Sequence, residues 1–281
     1  FFFFFKQKTA YEIADGDWRS DVCSSDLSHL LLLSGEHPRI VSGDYLVEVV
    51  RRLRPHFGSL GIEVAPQDEA GYRRLVEAGV DSLTVYQETY DPETYRRVHL
   101  KGQKRDYAYR LDAIERAGRA GVRRLSIGAL LGLFDWRIEG FWTALHGRYL
   151  QKHCWQSAVA VSFPRLRHTP SRFHIPQLVS DKELVQLMLA VRLFLPEAGI
   201  NLSTREPAAF RDRLIPLGVT MMSAGSSTRP GGYATYGAET LEQFAIEDTR
   251  PPEAVAEAIR DAGYDPVWKD FDRAFDDVTV R

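Results

Sequence analysis

The sequence predicts an α/β fold, a TIM-type βα-barrel that lacks its first βα unit. Three observations lead there. Short apolar runs rich in β-branched residues alternate with longer amphipathic segments, the pattern of a parallel sheet with crossover helices. Gly79 and Gly121, in the stretches EAGV (77–80) and RAGV (119–122), each stop a helical segment and hand the chain to the next strand. Polar clusters follow the strands in a single register, and in a barrel the loops at that end build the active site.

The strands expected are 29–33, 61–65, 82–86, 124–131, 158–163, 201–204 and 219–223, with helices around 45–57, 68–78, 107–120, 140–153, 181–195 and 207–214. Seven strands is one short of the eight that close a barrel. The regular pattern also opens directly on a strand, so a missing first unit accounts for both facts. Without it, the strands 29–33 and 219–223 are expected to have unpaired edges, giving poor solubility or a gap filled by residues 1–27 or by another chain.

Composition narrows the function. With 281 residues, 44% apolar and 26% charged, the chain has the make-up of one large globular domain. A formal net charge of −2 argues against nucleic acid or an acidic membrane as the main partner. No apolar run approaches the roughly 20 residues that span a bilayer. Two cysteines, Cys23 and Cys154, suit a reducing cytoplasm without a disulfide framework.

Residues 1–27 have no helical or strand period and begin with five phenylalanines. KQKTAYEI (6–13) and DVCSSDL (21–27) resemble in-frame translations of the two constant halves of a short-read sequencing adapter. The segment has neither the apolar stretch nor the small-residue cleavage site of a signal peptide. It is expected to be a non-native leader, followed by the barrel over 28–239 and a tail over 240–281 packing on it, with Trp268 as anchor.

The polar clusters are Ser34-Gly-Glu36, Gln87-Glu-Thr89, Pro164-Arg165, the run 203–206 (STRE) and the run 223–226 (SAGS). Each alone reads as a turn or cap. Five in one register point to a site for a polar, charged small molecule. The sequence has no His-Glu-x-x-His, no paired cysteines, no phosphate-binding glycine loop and no nucleophile elbow. His146 and His153 lack a third ligand nearby and read as surface or core histidines, and Cys154 beside Trp155 reads as a packed thiol. A Schiff-base or metal-dependent aldolase would want a lysine or ligands on the strand ends. The expected strands carry no lysine.

Nine stretches in order carry a family resemblance: LLLLSGEH (30–37), VYQETY (85–90), HLKG (99–102), Trp155-Gln-Ser157, SFPRLR (162–167), LSTRE (202–206), FRDRLIP (210–216), PGGY (230–233) and PVWKD (266–270). With them the chain resembles the 2-iminoacetate synthases, radical S-adenosylmethionine tyrosine lyases of thiamine biosynthesis, over nearly everything after residue 28. The resemblance implies a radical S-adenosylmethionine barrel. It implies that Ser34, Gly35 and Glu36 receive the amino group of S-adenosylmethionine, and that Gln87 and Glu88 hold its ribose. Lys104 or Arg105 would take its carboxylate, the two remaining open. Arg205 would hold the tyrosine carboxylate, with Ser223 nearby. It also implies a four-iron four-sulfur cluster on three cysteines of a C-x-x-x-C-x-x-C loop after the first strand, which this sequence does not contain. The chain as written is therefore expected to be inactive. Thiazole synthase and an electron donor are the implied partners, in the cytoplasm. The hydrogenase-maturation lyase, with a further cysteine set near its carboxyl end, the tryptophan lyase, and a non-catalytic barrel subunit are the alternatives. The PVWKD stretch favours the thiamine enzyme.

Overall fold

The computed structural model describes residues 4–6, 29–35, 40–167, 173–226 and 246–267. These form one parallel sheet of eight strands in sequence order: β1 (Phe4–Lys6), β2 (His29–Leu33), β3 (Ser59–Glu63), β4 (Ser82–Glu88), β5 (Arg124–Ala129), β6 (Ala158–Ser162), β7 (Gly199–Leu202) and β8 (Met221–Met222). Helices α1 (Gly43–Leu53), α2 (Glu69–Ala78), α3 (Pro92–Val98), α4 (Tyr107–Leu111), α5 (Ala113–Arg119), α6 (Trp136–His153), α7 (Asp181–Phe194) and α8 (Ala208–Leu214) join successive strands from β2 on, and α9 (Pro252–Asp261) follows β8. The sheet with its alternating helices is a partial βα-barrel. No described helix is long and apolar enough to cross a membrane.

The expected strands are all present, within a few residues of their predicted limits. The free edge expected on β2 carries β1, in the register Phe4↔Leu31 to Lys6↔Leu33. Among the described residues, no pairing joins β8 to β1. The helix expected over 107–120 is divided at Asp112, and α6 begins at Trp136, where Asp135 caps it through the N–H groups of Arg137 and Ile138. Helix α3, not foreseen, is capped by Asp91. Gly79 and Gly121 take φ of 117° and 97°, the left-handed stop anticipated for them. Trp268 lies outside the described residues.

Register sorts the side chains into two faces. Thr84, Ser126 and Ala160 form one cross-strand row, and Tyr86, Gly128, Ser162 and Asn201 the next. These rows face the barrel interior and are small or polar. The intervening Leu83, Val85, Leu125, Ile127, Val159 and Val161 are buried in the core beneath the helices. Gly128 has a steric reason. A Cβ there would lie 2.3 Å from the Ser162 carbonyl oxygen and 3.1 Å from the Tyr86 ring. Glycine therefore makes the room that Tyr86 occupies.

Candidate ligand pocket at the carboxyl face

The carboxyl ends of β3, β4, β6, β7 and β8 converge on one pocket, lined by Glu63, Tyr86, Ser162, Asn201, Arg205 and Ser223 with Leu31 and Phe163. Alternation along β3 turns Glu63 inward while Ile62 packs in the core. Desolvation pushes the Glu63 carboxyl up to about 7, with Glu88 adding to the rise and Arg205, Arg110 and Lys104 opposing it. Burial lowers the Arg205 pKa, against the field of Tyr86, Glu63 and Glu88. Burial also raises the Tyr86 phenol, which bonds the Ser162 hydroxyl. Ser223 Oγ accepts the Thr204 N–H at 3.1 Å.

Beside this pocket, β4 ends in a bulge. Tyr86 pairs with Gly128 and Glu88 with Ala129, which leaves Gln87 as the extra residue. Glu88 follows with φ of 70°, the one positive value at a non-glycine residue among the described residues. Its Oε1 receives Lys104 Nζ at 2.7 Å and lies 3.5 Å from an Arg110 terminal nitrogen. Burial disfavours the charge on Glu88, but Lys104 and Arg110 outweigh it and hold the carboxyl below its usual range. Arg110 Nε also donates to the Tyr86 carbonyl at 2.8 Å, tying α4 to the strand end. Lys104 rides on a short 3-10 turn, Gln103–Arg105, whose backbone is pinned by Tyr95 donating to the Lys104 carbonyl at 2.6 Å. Below the bulge, fully buried Glu139 of α6 accepts from the Thr89 hydroxyl and, at 2.8 Å, from the Tyr90 N–H. His146 of the same helix meets the Tyr90 hydroxyl at 2.8 Å.

Of the residues singled out in sequence, Arg205 and Ser223 line the pocket, and Glu88 and Lys104 are joined next to it. Lys104 is half-buried, whereas Arg105 is exposed. Ser34 donates its N–H to the Glu63 carbonyl at 3.2 Å, and its Oγ is buried with no hydrogen-bond partner among the described residues. Gln87 is also buried, and neither its amide nitrogen nor its oxygen has one. Gly35 faces open space, and Glu36 lies outside the described residues. Glu63, Tyr86, Arg110, Ser162 and Asn201 were not foreseen. Glu63 did carry a signal, as the lone charge within an apolar strand.

Two of the polar clusters serve the frame as well. Arg165 makes a bidentate pair with Glu206 at 2.7 and 2.6 Å, both side chains buried, and donates to the Val179 carbonyl at 2.8 Å. The segment after residue 246 is tied to the ends of β7 and β8. Glu247 and Asp248 donate their N–H groups to the Thr204 carbonyl at 3.0 and 3.1 Å. Asp248 is paired with buried Arg211, which also reaches the Ser223 carbonyl.

A cluster of the four-iron type needs thiolate ligands. The sequence holds two cysteines. Cys154 is buried at the far end of the sheet, where α6 leads into β6, and burial raises its thiol. Cys23 lies outside the described residues. Among the described residues, no group of three His, Cys, Asp or Glu could hold a metal ion. The residues present do not fit the cluster. For S-adenosylmethionine the fit is better, because the orphaned Ser34 hydroxyl and Gln87 amide await polar partners.

Residues 162–265 match the Biotin and Thiamin Synthesis associated domain. The chain is 45% identical over 268 residues to 2-iminoacetate synthase of Escherichia coli K12, covering 95% of this chain and 71% of that protein. It is 46% identical over 245 residues to 2-iminoacetate synthase of Salmonella typhimurium, covering 87% and 65%. Among solved structures, a FeFe-hydrogenase maturase HydG superposes with a TM-score of 0.82 at 31% identity, over 89% of this chain and 57% of that one. HydG from Carboxydothermus hydrogenoformans gives 0.81 at 30% identity, over 94% and 66%. Methylornithine synthase PylB shares the fold, with a TM-score of 0.64 at 20% identity over 89% and 72%. The chain thus spans 57% to 72% of the length of these relatives. By its identity to the two curated enzymes, the chain belongs to the 2-iminoacetate synthase family.

Proposed function

We propose that this chain holds tyrosine and S-adenosylmethionine in a radical lyase that breaks the Cα–Cβ bond of tyrosine, giving 2-iminoacetate (dehydroglycine) and p-cresol for the thiazole of thiamine. The carrying observation is the opposite charge pair in one buried pocket, Arg205 and Glu63. An amino acid is a zwitterion. The planar guanidinium of Arg205 takes its carboxylate through paired N–H donors, with Ser223 beside it. Glu63 takes the ammonium, whose charge relieves the desolvation that now raises the carboxyl. Tyr86, Ser162 and Asn201 offer hydroxyl and amide groups to the phenol, and Leu31 and Phe163 flank its ring and exclude water.

S-adenosylmethionine, reduced by an iron–sulfur cluster, supplies the hydrogen-abstracting radical in this family. In this chain Ser34, Gly35 and Glu36 receive its amino group, Gln87 and Glu88 its ribose, and Lys104 its carboxylate. Lys104 is preferred to Arg105 because it already turns into the site on Glu88. The sequence lacks the cluster's cysteines, so binding rather than turnover is the property proposed for the chain itself. Thiazole synthase and an electron donor are the proposed partners, in the cytoplasm. The maturase HydG is the second reading, favoured by its TM-score of 0.82, but its 31% identity falls well below the 45% shared with the thiamine enzyme.

Calorimetric titration with L-tyrosine tests the pocket. Arg205→Ala is expected to weaken binding by roughly a factor of ten or more, the loss of a charge-assisted bidentate contact. An Arg205→Ala chain with undiminished affinity overturns the assignment.

A further inference from the structure

The turn that follows β4 is held from three sides. Fully buried Glu139 gives one carboxylate oxygen to the Thr89 hydroxyl and the other to the Tyr90 N–H, the latter at 2.8 Å. His146 lies two turns further along the same face of α6 and meets the Tyr90 hydroxyl at 2.8 Å. From α4, the Tyr107 hydroxyl donates to the Tyr90 carbonyl at 2.9 Å. Every polar group of Tyr90 is thus engaged. Thr89 Oγ also accepts the Asp91 N–H at 3.1 Å, and Asp91 in turn caps α3 through the Thr94 N–H at 2.7 Å.

Two features set Glu139 apart from an ordinary packing residue. Both its oxygens meet uncharged donors, so burial pushes its carboxyl up and the Thr89 hydroxyl and Tyr90 N–H oppose the rise. A carboxylate in such surroundings is costly to keep. Its two bonds also fall on the two residues directly after Glu88, whose φ of 70° lies in a region that side chains disfavour. A residue persists there only where the structure around it fixes both flanks. Upstream, the ladder sets Tyr86 against Gly128, and Arg110 Nε holds the Tyr86 carbonyl. Downstream, the residues that follow are fixed by Glu139. Without it the backbone at Glu88 is released to return to negative φ, which turns the side chain away from Lys104.

We infer that Glu139 is a positioning residue for the ligand site: by clamping Thr89 and Tyr90 it keeps the left-handed turn at Glu88, and so aims the Glu88 carboxylate and the Gln87 amide. This rests on the reading that Gln87, Glu88 and Lys104 take S-adenosylmethionine. Glu139 acts through the turn and does not line the tyrosine pocket, where Arg205 and Ser223 stand beyond β7 and β8.

Calorimetry on the full chain with S-adenosylmethionine and with L-tyrosine tests this. Glu139→Leu, which has no acceptor, is expected to weaken S-adenosylmethionine binding roughly tenfold, about the loss of one hydrogen bond to a charged group, with tyrosine affinity unchanged. Glu139→Gln is expected to restore most of that affinity, its amide oxygen accepting the Tyr90 N–H and its nitrogen donating to Thr89 Oγ. Thr89→Val frees only one carboxylate oxygen, and a smaller loss of the same kind is expected, which decides the matter where Glu139→Leu does not fold. Hydrogen exchange followed by NMR reads the turn without any ligand. The Leu130 N–H donates to the Glu88 carbonyl at 2.8 Å and makes no bond to Glu139, so its protection is expected to fall in Glu139→Leu while that of Ile127, within β5, holds. Equal losses for both ligands, as general loosening would give, overturn the inference. So does undiminished S-adenosylmethionine affinity in Glu139→Leu where Lys104→Met lowers it, a result that leaves the ligand reading standing. A wild-type chain that takes up no S-adenosylmethionine overturns the ligand reading, and unchanged Leu130 protection overturns the clamp itself.

Discussion

Replacing Glu63 by glutamine should stabilise the protein at alkaline pH and change it little in acid. The folded carboxyl titrates at about 7 instead of 4.5, so the folded chain keeps a proton that the unfolded chain releases. Stability on this account is complete below the unfolded pKa and is lost as pH rises through the folded one. The shift is worth about 3 kcal/mol in full. At pH 8 nearly all of it weighs on the native protein, whereas at pH 5 the cost is below about 1 kcal/mol. Glutamine keeps the shape without the charge. Urea denaturation of both proteins at pH 5 and pH 8 should therefore show the glutamine variant gaining about 2 kcal/mol relative to wild type between the two. His146, whose buried ring is held at about 4, runs the other way, its contribution being lost as pH falls from 6.5, but it is common to both proteins and cancels in the difference. An equal difference in stability at both pH values, or a glutamine variant weaker at pH 8, would refute the reasoning.

Two further outcomes follow from pairs described above. Arg165→Met leaves buried Glu206 with Arg167 alone, at 3.2 Å, and should cost up to about 3 kcal/mol in denaturant titrations, while Arg165→Met combined with Glu206→Leu should recover most of that loss. In the reading proposed for S-adenosylmethionine, Lys104→Met should reduce its affinity in calorimetry and Arg105→Met should not; equal losses would return the choice between them to Arg105 as well.

The fold was legible because its signals are local and repeated. Glycine stops at 79 and 121 and apolar runs of strand length fix the alternation whatever the tertiary packing. The site was legible in part. Arg205 stands in a polar run just beyond a strand, where a side chain has few other employments, and it lines the pocket. Arg165 and Glu206 stand in similar runs yet neutralise each other across the ends of β6 and β7, a pairing 41 residues apart that no local pattern reveals. Glu63 escaped for the opposite reason. It sits inside a strand and not in a polar run after one, and only the face it occupies gives it meaning. Arg110 escaped because an arginine on an amphipathic helix ordinarily faces solvent.

The turn at Glu88 sets stability and binding against each other at a single residue. A side chain held at φ of 70° costs on the order of 1 kcal/mol, a cost that glycine would remove together with the carboxylate gripping Lys104. Glycine at position 88 would thus make the protein sturdier only if Lys104 and buried Arg110, which share the Glu88 carboxylate, were changed with it, and the grip on Lys104 beside the pocket would go too.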